Sequence, residues 1–265
     1  MKGSCILQPP HTELAENWPM NNAQKQQRHP FESLTPNAVM DALSSVGLSC
    51  DGRLQALSSY ENRVYQLPLE DGPVVVAKFY RPGRWSDAQI QEEHDFAAEL
   101  MRAEVPVIGP LMLLGQTLHH FGDFAFSVSP RRGGRMPELD EGEVLEWIGR
   151  FLARIHTVGA SRPFQVRPPL DLRTFGLESR DWLLAHNRVP LDVQSLWSKT
   201  CQQALDMIAA HACLTGSDGR IDPESRTIKI LRLHGDCHPG NILWTPTDAP
   251  ASAGPGPHFV DLDDA

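Results

Sequence analysis

Apolar positions along the chain change period several times, and each change marks an element. After Thr35-Pro36, Val39, Leu43 and Val46 recur on one helical face, and Gly47 stops the helix. Three short strands are predicted next: one starting at Leu54, one through Val64, Tyr65 and Leu67, and one from Val74 to Tyr80. Asp71-Gly72 supplies the hairpin turn between the last two. Ser86-Asp87 then caps a helix with Ile90, Glu93, Ala97, Leu100 and Met101 on its inward stripe, ending at Val105-Pro106. Residues 107–118 and 121–128 predict two more strands, turning at His119-His120. Residues 143–156 are amphipathic through Leu145, Ile148, Leu152 and Ile155, and 194–212 form a further helix with Leu196, Trp197, Cys201, Leu205, Ile208 and Ala209. Between these two helices lies a Pro- and Arg-rich stretch holding a short Trp182-Leu183-Leu184 helix. Near the end, Leu231-Arg232-Leu233, Ile242-Leu243-Trp244 and Phe259-Val260 read as short strands, the last two separated by a proline-rich excursion.

This order predicts two lobes. Residues 31–128 hold the strands, the Ser-Pro-Arg-Arg-Gly-Gly punctuation at 129–134 is a hinge, and 135–265 form a mostly helical second lobe. Residues 1–30 are rich in Gln, Asn, Pro and His without apolar period, so they are expected to be disordered, with Met20 a possible alternative start to Met1. The length of 265 residues and 41% hydrophobic composition suffice for a sizeable core. A net charge of −9 argues against a nucleic-acid or anionic-membrane partner held by bulk electrostatics. No apolar run reaches the length of a membrane span. Five cysteines, odd in number and without metal spacing, fit a reducing cytoplasm; Cys237 reads either as an oxidisable thiol or as a small buried one.

The chemistry concentrates in L-R-L-H-G-D-C-H-P-G-N-I-L-W, residues 231–244. Asp236 and Asn241 stand four residues apart, the spacing of the kinase loop H-R-D-x-x-x-x-N, with Gly235 where that motif has Arg. A carboxylate suits a group that accepts the substrate hydroxyl proton, and an amide oxygen suits hard Mg²⁺ without adding charge beside that base. His238 either orders this loop or caps it. Farther on, F-V-D-L-D delivers Asp261 at a strand end as a second Mg²⁺ ligand, with Asp263 turned to the same side. Lys78 is the one charge in an apolar strand, V-V-A-K-F, as expected of a lysine pairing with nucleotide phosphates; a lysine snorkelling from a strand edge is the structural alternative. Glu93 shares the stripe of Ala97 and Leu100 and is placed to aim Lys78, with Glu92 its competitor. No G-x-G-x-x-G precedes the lysine. Ser58-Ser59-Tyr60-Glu61-Asn62 takes its place, either facing phosphate through Ser59 or serving as a plain hairpin turn.

H-G-D-x-H-x-x-N followed by D-L-D resembles the aminoglycoside phosphotransferase and choline kinase branch of the kinase-like fold. Read with S-Y-E-N-R-V-Y-Q, K-F-Y-R-P-G-R-W and I-Q-E-E-H-D-F, residues 31–265 resemble a family of bacterial stress-response serine/threonine kinases on that fold. The resemblance implies an α+β, two-lobed, protein-kinase-like architecture and ATP- and Mg²⁺-dependent transfer to protein Ser/Thr hydroxyls by a cytoplasmic monomer. Small-molecule hydroxyl transfer is the alternative, and an inactive fragment a third reading. The resemblance also implies Asp236 as proton acceptor, Asp261 as a second active-site residue, Asn241 and Asp261 on the metal, and Ser59 bordering ATP. Family members continue in helix beyond D-L-D-D-A, so this chain is expected to be truncated, with Leu152, Ile155, Trp244 and Phe259 left partly wet. Arg162, Arg167, Arg173 and Arg180, against few acids, are expected to border the substrate cleft and to disfavour a cationic substrate.

Overall fold

The computed structural model describes residues 30–211, 229–251 and 254–265; the expected disordered extension and the choice of start fall outside them. Helix α1 (Pro36–Ser45) begins where Thr35 Oγ1 accepts the Ala38 amide and Pro36 presets the first turn, and it ends before Gly47 at φ +85°. Its buried face, Val39, Ala42 and Leu43, lies in one core cluster with Phe31, Leu67, Val75, Ala77, Phe79, Phe124 and Phe126.

That cluster covers one face of a five-stranded antiparallel sheet. Strands β1 (Gln55–Leu57), β2 (Arg63–Pro68), β3 (Val74–Phe79), β4 (His119–Phe121) and β5 (Phe124–Pro130) are ordered β1-β2-β3-β5-β4. In β3 the alternation puts Val75, Ala77 and Phe79 into the core, and Val74, Val76 and Lys78 on the other face. Lys78 sits opposite Val64 on one neighbour and Ser127 on the other, so the central position of β3 excludes the edge-snorkelling alternative.

Helix α2 (Asp87–Arg102) starts with a complete capping box, Ser86 and Gln89 each bonding the other's backbone. Its buried side does not enter the sheet core. Phe96, Ala97 and Leu100 join a second cluster with Val105, Val107, Val144, Ile148, Ile155, Ile242, Trp244, Phe259 and Leu262. This cluster is completed by α3 (Gly142–Gly159) and by the hairpin of β6 (Ile242–Thr245) and β7 (Gly256–Phe259). Helices α4 (Glu178–Ala185), preceded by a single π-turn, and α5 (Leu191–His211) lie between α3 and the loop leading to β6.

Several expectations are corrected. Residues 107–118 are no strand: the Ile108 amide donates to the Phe259 carbonyl of β7, the Leu111 amide donates to the Val128 carbonyl of β5, and a turn closes at Leu113–Gln116. The segment therefore links sheet and hairpin instead of joining either. His119 and His120 lie within β4, and the turn falls at Gly122-Asp123, with Gly122 at φ +56°. Strand β5 runs through Pro130, so the chain leaves the sheet only at Arg131, two residues later than the hinge boundary expected at 129. On α3 the buried stripe is Val144, Ile148, Ile155 and Gly159; Leu145 is exposed, one position around the helix. Leu231-Arg232-Leu233 pairs with no strand among the described residues. The Arg232 amide bonds the Gly159 carbonyl, and a Cβ at Gly159 would stand 2.0 Å from Arg232 O, so this segment is laid against the end of α3. Ile155, Trp244 and Phe259 are buried in one cluster with Val107, Val144 and Leu262, so the wet surface expected on them does not exist, while Leu152 is half-buried and stays partly exposed as expected.

Candidate active site

Lys78 meets three carboxylates. Its Nζ donates to Asp261 Oδ1 at 2.8 Å and lies 3.3 Å from Asp263 Oδ1 and 3.9 Å from Glu93 Oε1. Burial works against the charge of Lys78, yet Glu93 and Asp263 hold its pKa well above the ordinary value. Burial pushes the Glu93 carboxyl up to about 7, against the opposing pull of Lys78 and Arg167. Asp263 is also buried, but Lys78, the Asn62 amide and Arg84 together keep it below the usual carboxylate range. Glu92, one residue from Glu93, points elsewhere: it accepts the backbone amides of Gln165, Val166 and Arg167.

Opposite this cluster, residues 234–241 form a loop held mainly by its own backbone. His234 is buried, and its Nε2 lies 3.0 Å from the Val260 carbonyl, so that nitrogen carries the proton. Burial lowers the His234 pKa and keeps the ring neutral. Gly235, at φ +83°, fills the place of the kinase Arg for a steric reason: a Cβ there would stand 1.8 Å from the Asp264 carbonyl. The loop thus presses directly on the segment carrying Asp261. Asn241 Nδ2 donates to the Asp236 carbonyl at 2.9 Å and approaches Asp236 Oδ2 at 3.5 Å, leaving Asn241 Oδ1 available as a hard oxygen donor. His238 both caps and orders the loop. Its Nδ1 accepts the Gly240 amide at 3.0 Å, and its Nε2 faces Asp236 Oδ2 at 3.6 Å. The Val260 amide bonds the Asn241 carbonyl, which sets Asn241 beside the residue preceding Asp261. Asp261 itself turns the chain at φ +61°, a conformation an Asp side chain tolerates.

Asn241 and Asp261 offer only hard oxygen donors, the set Mg²⁺ takes when substrate phosphates and water complete its shell. Among the described residues no group of three or more His, Cys, Asp or Glu forms a metal cage, so any such ion would be shared with a ligand. Ser59 is half-buried in the β1–β2 turn, and no contact among the described residues joins it to the Lys78 cluster.

Asn62, from the same turn, does reach that cluster. Its Nδ2 donates to Asp263 Oδ2 at 3.1 Å while its Oδ1 accepts the Arg81 amide at 3.1 Å. Sequence reasoning missed it, although an Asn in a turn without glycines was a usable signal. Arg84 was missed as well; it bonds Asp264 at 2.6 Å and reaches Glu61 at 3.3 Å. The four arginines expected at the substrate cleft are engaged internally. Arg162 pairs with Glu99, Arg173 with Glu178, Arg180 with Asp181, and Arg167 is fully buried near Glu93. They therefore give no argument about substrate charge. Cys237 is exposed as a residue, but its thiol is partly desolvated, and this, aided by Asp236, raises its pKa, which opposes thiolate formation.

A five-stranded sheet with a central lysine, a glutamate-bearing helix and an Asp/Asn loop beside a D-L-D turn are the parts of a kinase-like fold. Residues 53–265 match the phosphotransferase enzyme family (APH), and the chain belongs to that family. Over 235 residues, 89% of the chain, it is 41% identical to Stress response kinase A of Escherichia coli (strain K12). It is 42% identical, over the same length, to Serine/threonine protein kinase RdoA of Salmonella typhimurium. The chain spans 65% of the length of each of these relatives. Among solved structures, amicoumacin kinase hAmiN in complex with AMP-PNP, Ca²⁺ and Ami aligns with a TM-score of 0.60 at 19% identity, covering 85% of this chain and 64% of that one. This likeness establishes the aminoglycoside phosphotransferase-like fold. No helix among the described residues is long and apolar enough to cross a membrane.

Proposed function

We propose that this chain carries the catalytic centre of an ATP- and Mg²⁺-dependent kinase that phosphorylates Ser/Thr hydroxyls of proteins in a cytoplasmic stress response. The observation that carries the reading is Lys78 gripped by Glu93, Asp261 and Asp263 beside the Asp236–Asn241 loop. The two D-L-D carboxylates differ in a way that suits this chemistry. Asp263 is buried, accepts from Asn62 and pairs with Lys78, whereas the Asp261 side chain is 47% exposed and, among the described residues, is paired with Lys78. With nucleotide bound, Lys78 would pair with phosphate oxygens and leave Asp261 free to hold a metal ion, while Asp263 and Glu93 keep the lysine in place. Asn241 and Asp261 would hold Mg²⁺, which when bound offsets charge on the phosphates.

Asp236 orients the acceptor hydroxyl and takes its proton as the hydroxyl oxygen bonds the γ-phosphorus and the bond to the β-γ bridging oxygen breaks, with ADP leaving. His238 supports that carboxylate from 3.6 Å. Protein Ser/Thr as the acceptor is supported by the name of one relative at 42% identity, Serine/threonine protein kinase RdoA. The test is ATP consumption by the wild type and Asp236→Ala with protein substrates and, separately, a panel of amino alcohols and aminoglycosides. Turnover confined to the small molecules would overturn the protein-substrate reading. Equal turnover by Asp236→Ala would overturn the base assignment.

A further inference from the structure

Glu93 can aim Lys78 only if α2 stays docked. Ile90, packed with Tyr80 and Leu118, and His94, bonded to Tyr80 and Thr117, hold α2 on the sheet side, while Phe96, Ala97 and Leu100 belong to the second cluster. Its tie to the D-L-D segment is made by a turn with no obvious motif, residues 164–167. Glu92 accepts three successive amides of this turn, Gln165, Val166 and Arg167, the last two at 3.0 Å each. From the same face of α2, Gln89 Nε2 donates to the Val166 carbonyl at 3.0 Å.

The turn delivers Arg167 between α2 and the D-L-D segment, with its side chain 0% exposed. On the α2 side, Nη1 donates to the Gln89 carbonyl at 3.1 Å and lies 3.8 Å from Glu93 Oε2. On the other side, Nη2 donates to the Asp263 carbonyl and Nε to the Ala265 carbonyl at 2.8 Å. The guanidinium plane rests against Trp85, 4.6 Å from the ring centroid, and near Phe164 at 5.8 Å. A single rigid fork thus spans the two elements whose acids flank Lys78, a geometry a lysine cannot reproduce. Placing a cation here without partners would be costly, so the site is occupied only when both elements are in place.

We infer that Arg167 is a positioning residue that locks α2 to the Asp261–Asp263 segment and so keeps Glu93 aimed at Lys78. Glu92 acts through it by clasping the turn. Around Glu93 stand Lys78 of β3, Tyr80 just beyond it, Asp261 and Asp263 of the D-L-D segment, and Arg167.

The inference rests on the kinase reading only for its activity readout, so the first measurement is hydrogen exchange in the free protein. In Arg167→Met, amides of α2 and of residues 260–265 should exchange faster while β2 and β3 keep wild-type protection. Arg167→Lys should show the same pattern in weaker form, and Glu92→Gln, which leaves the guanidinium intact, weaker still. In the kinase assay, Arg167→Met should lower kcat about 10- to 100-fold, the range for outer partners that orient active groups, with Arg167→Lys recovering part of the loss. Faster exchange spread evenly over the chain, or α2 protection equal to wild type, would overturn the inference. Local loosening of α2 in a protein whose wild type transfers no phosphoryl group would uphold the positioning role and sink the kinase reading instead.

Discussion

The Lys78 cluster and the Asp236 loop face each other but are built on opposite principles. In the cluster, the side chains of Lys78, Glu93 and Asp263 are 16%, 9% and 7% exposed, and their supports come from β3, α2, the β1–β2 turn, the 164–167 turn and the D-L-D segment. In the loop, the Asp236 and His238 side chains are 53% and 54% exposed, and their geometry comes from bonds within eight residues. Buried charges are tolerated only when paired and hydrogen-bonded, so the cluster is a stability element as much as a site. An exposed carboxylate on a backbone-fixed loop can change its partner at little cost. The contrast suits a nucleotide whose phosphates are always the same and an acceptor hydroxyl that arrives from solvent.

The largest effect should come from the loop and leave the fold untouched. Asp236→Ala should lower turnover by about 10²- to 10⁴-fold, with an unchanged melting temperature and near-unchanged nucleotide affinity. A large drop in melting temperature would erase the distinction between the two regions. The cluster should respond the other way. Lys78→Met leaves Glu93 and Asp263 buried without their shared cation, at a cost of about 3–5 kcal/mol, and should lower both activity and the denaturation midpoint. Adding Glu93→Gln should recover part of that stability, because the two substitutions remove one interaction; simple additivity in the double-mutant cycle would refute the pairing.

Gly235→Ala probes the seam between the regions. With a positive φ and the Asp264 carbonyl 1.8 Å from the new Cβ, it should cost about 1–3 kcal/mol or more by chemical denaturation, despite adding one methyl group to an exposed loop. The smallest effect is the pH dependence carried by Glu93. Between the ordinary value of 4.5 and about 7, folded Glu93 binds more protons than unfolded Glu93, so its contribution to stability falls as pH rises through that window. Activity should move oppositely, since only the carboxylate aims Lys78. kcat/KM should therefore rise through an acid limb near 7, and Glu93→Gln should abolish that limb.

Much of the local design was legible because its causes are local. The Thr35-Pro36 and Ser86-Asp87 starts, the apolar run carrying Lys78, the Asp236-to-Asn241 spacing and the Asp261 turn follow from caps, alternation and loop chemistry within a few residues. Legibility failed where an apolar or charged position had two local meanings. Leu145 and Val144 are adjacent on α3, and periodicity alone did not decide which of them faces inward. Leu231-Arg232-Leu233 alternates like a strand, yet Arg232 is the buried member, bonded to Glu99 at 2.6 Å and set 4.4 Å from the Phe96 ring centroid.

By itself, the sequence determined most of the segments that become helix or strand, the 107–118 and 231–233 stretches excepted, and which residue types meet in the 231–244 loop, since those depend on steric and hydrogen-bonding preferences of neighbouring residues. Only the tertiary structure decided what each charge pairs with. Asn62 reaches Asp263 across 201 positions, Lys78 reaches Asp261 across 183, and Arg167 reaches Asp263 across 96. It also separated Glu92 from Glu93, neighbours with the same side chain, by sending one to the amides of a turn and the other to Lys78. A charge taken out of water must find a partner wherever packing brings one, and that partner's position is set by the arrangement of whole elements, which local sequence does not encode.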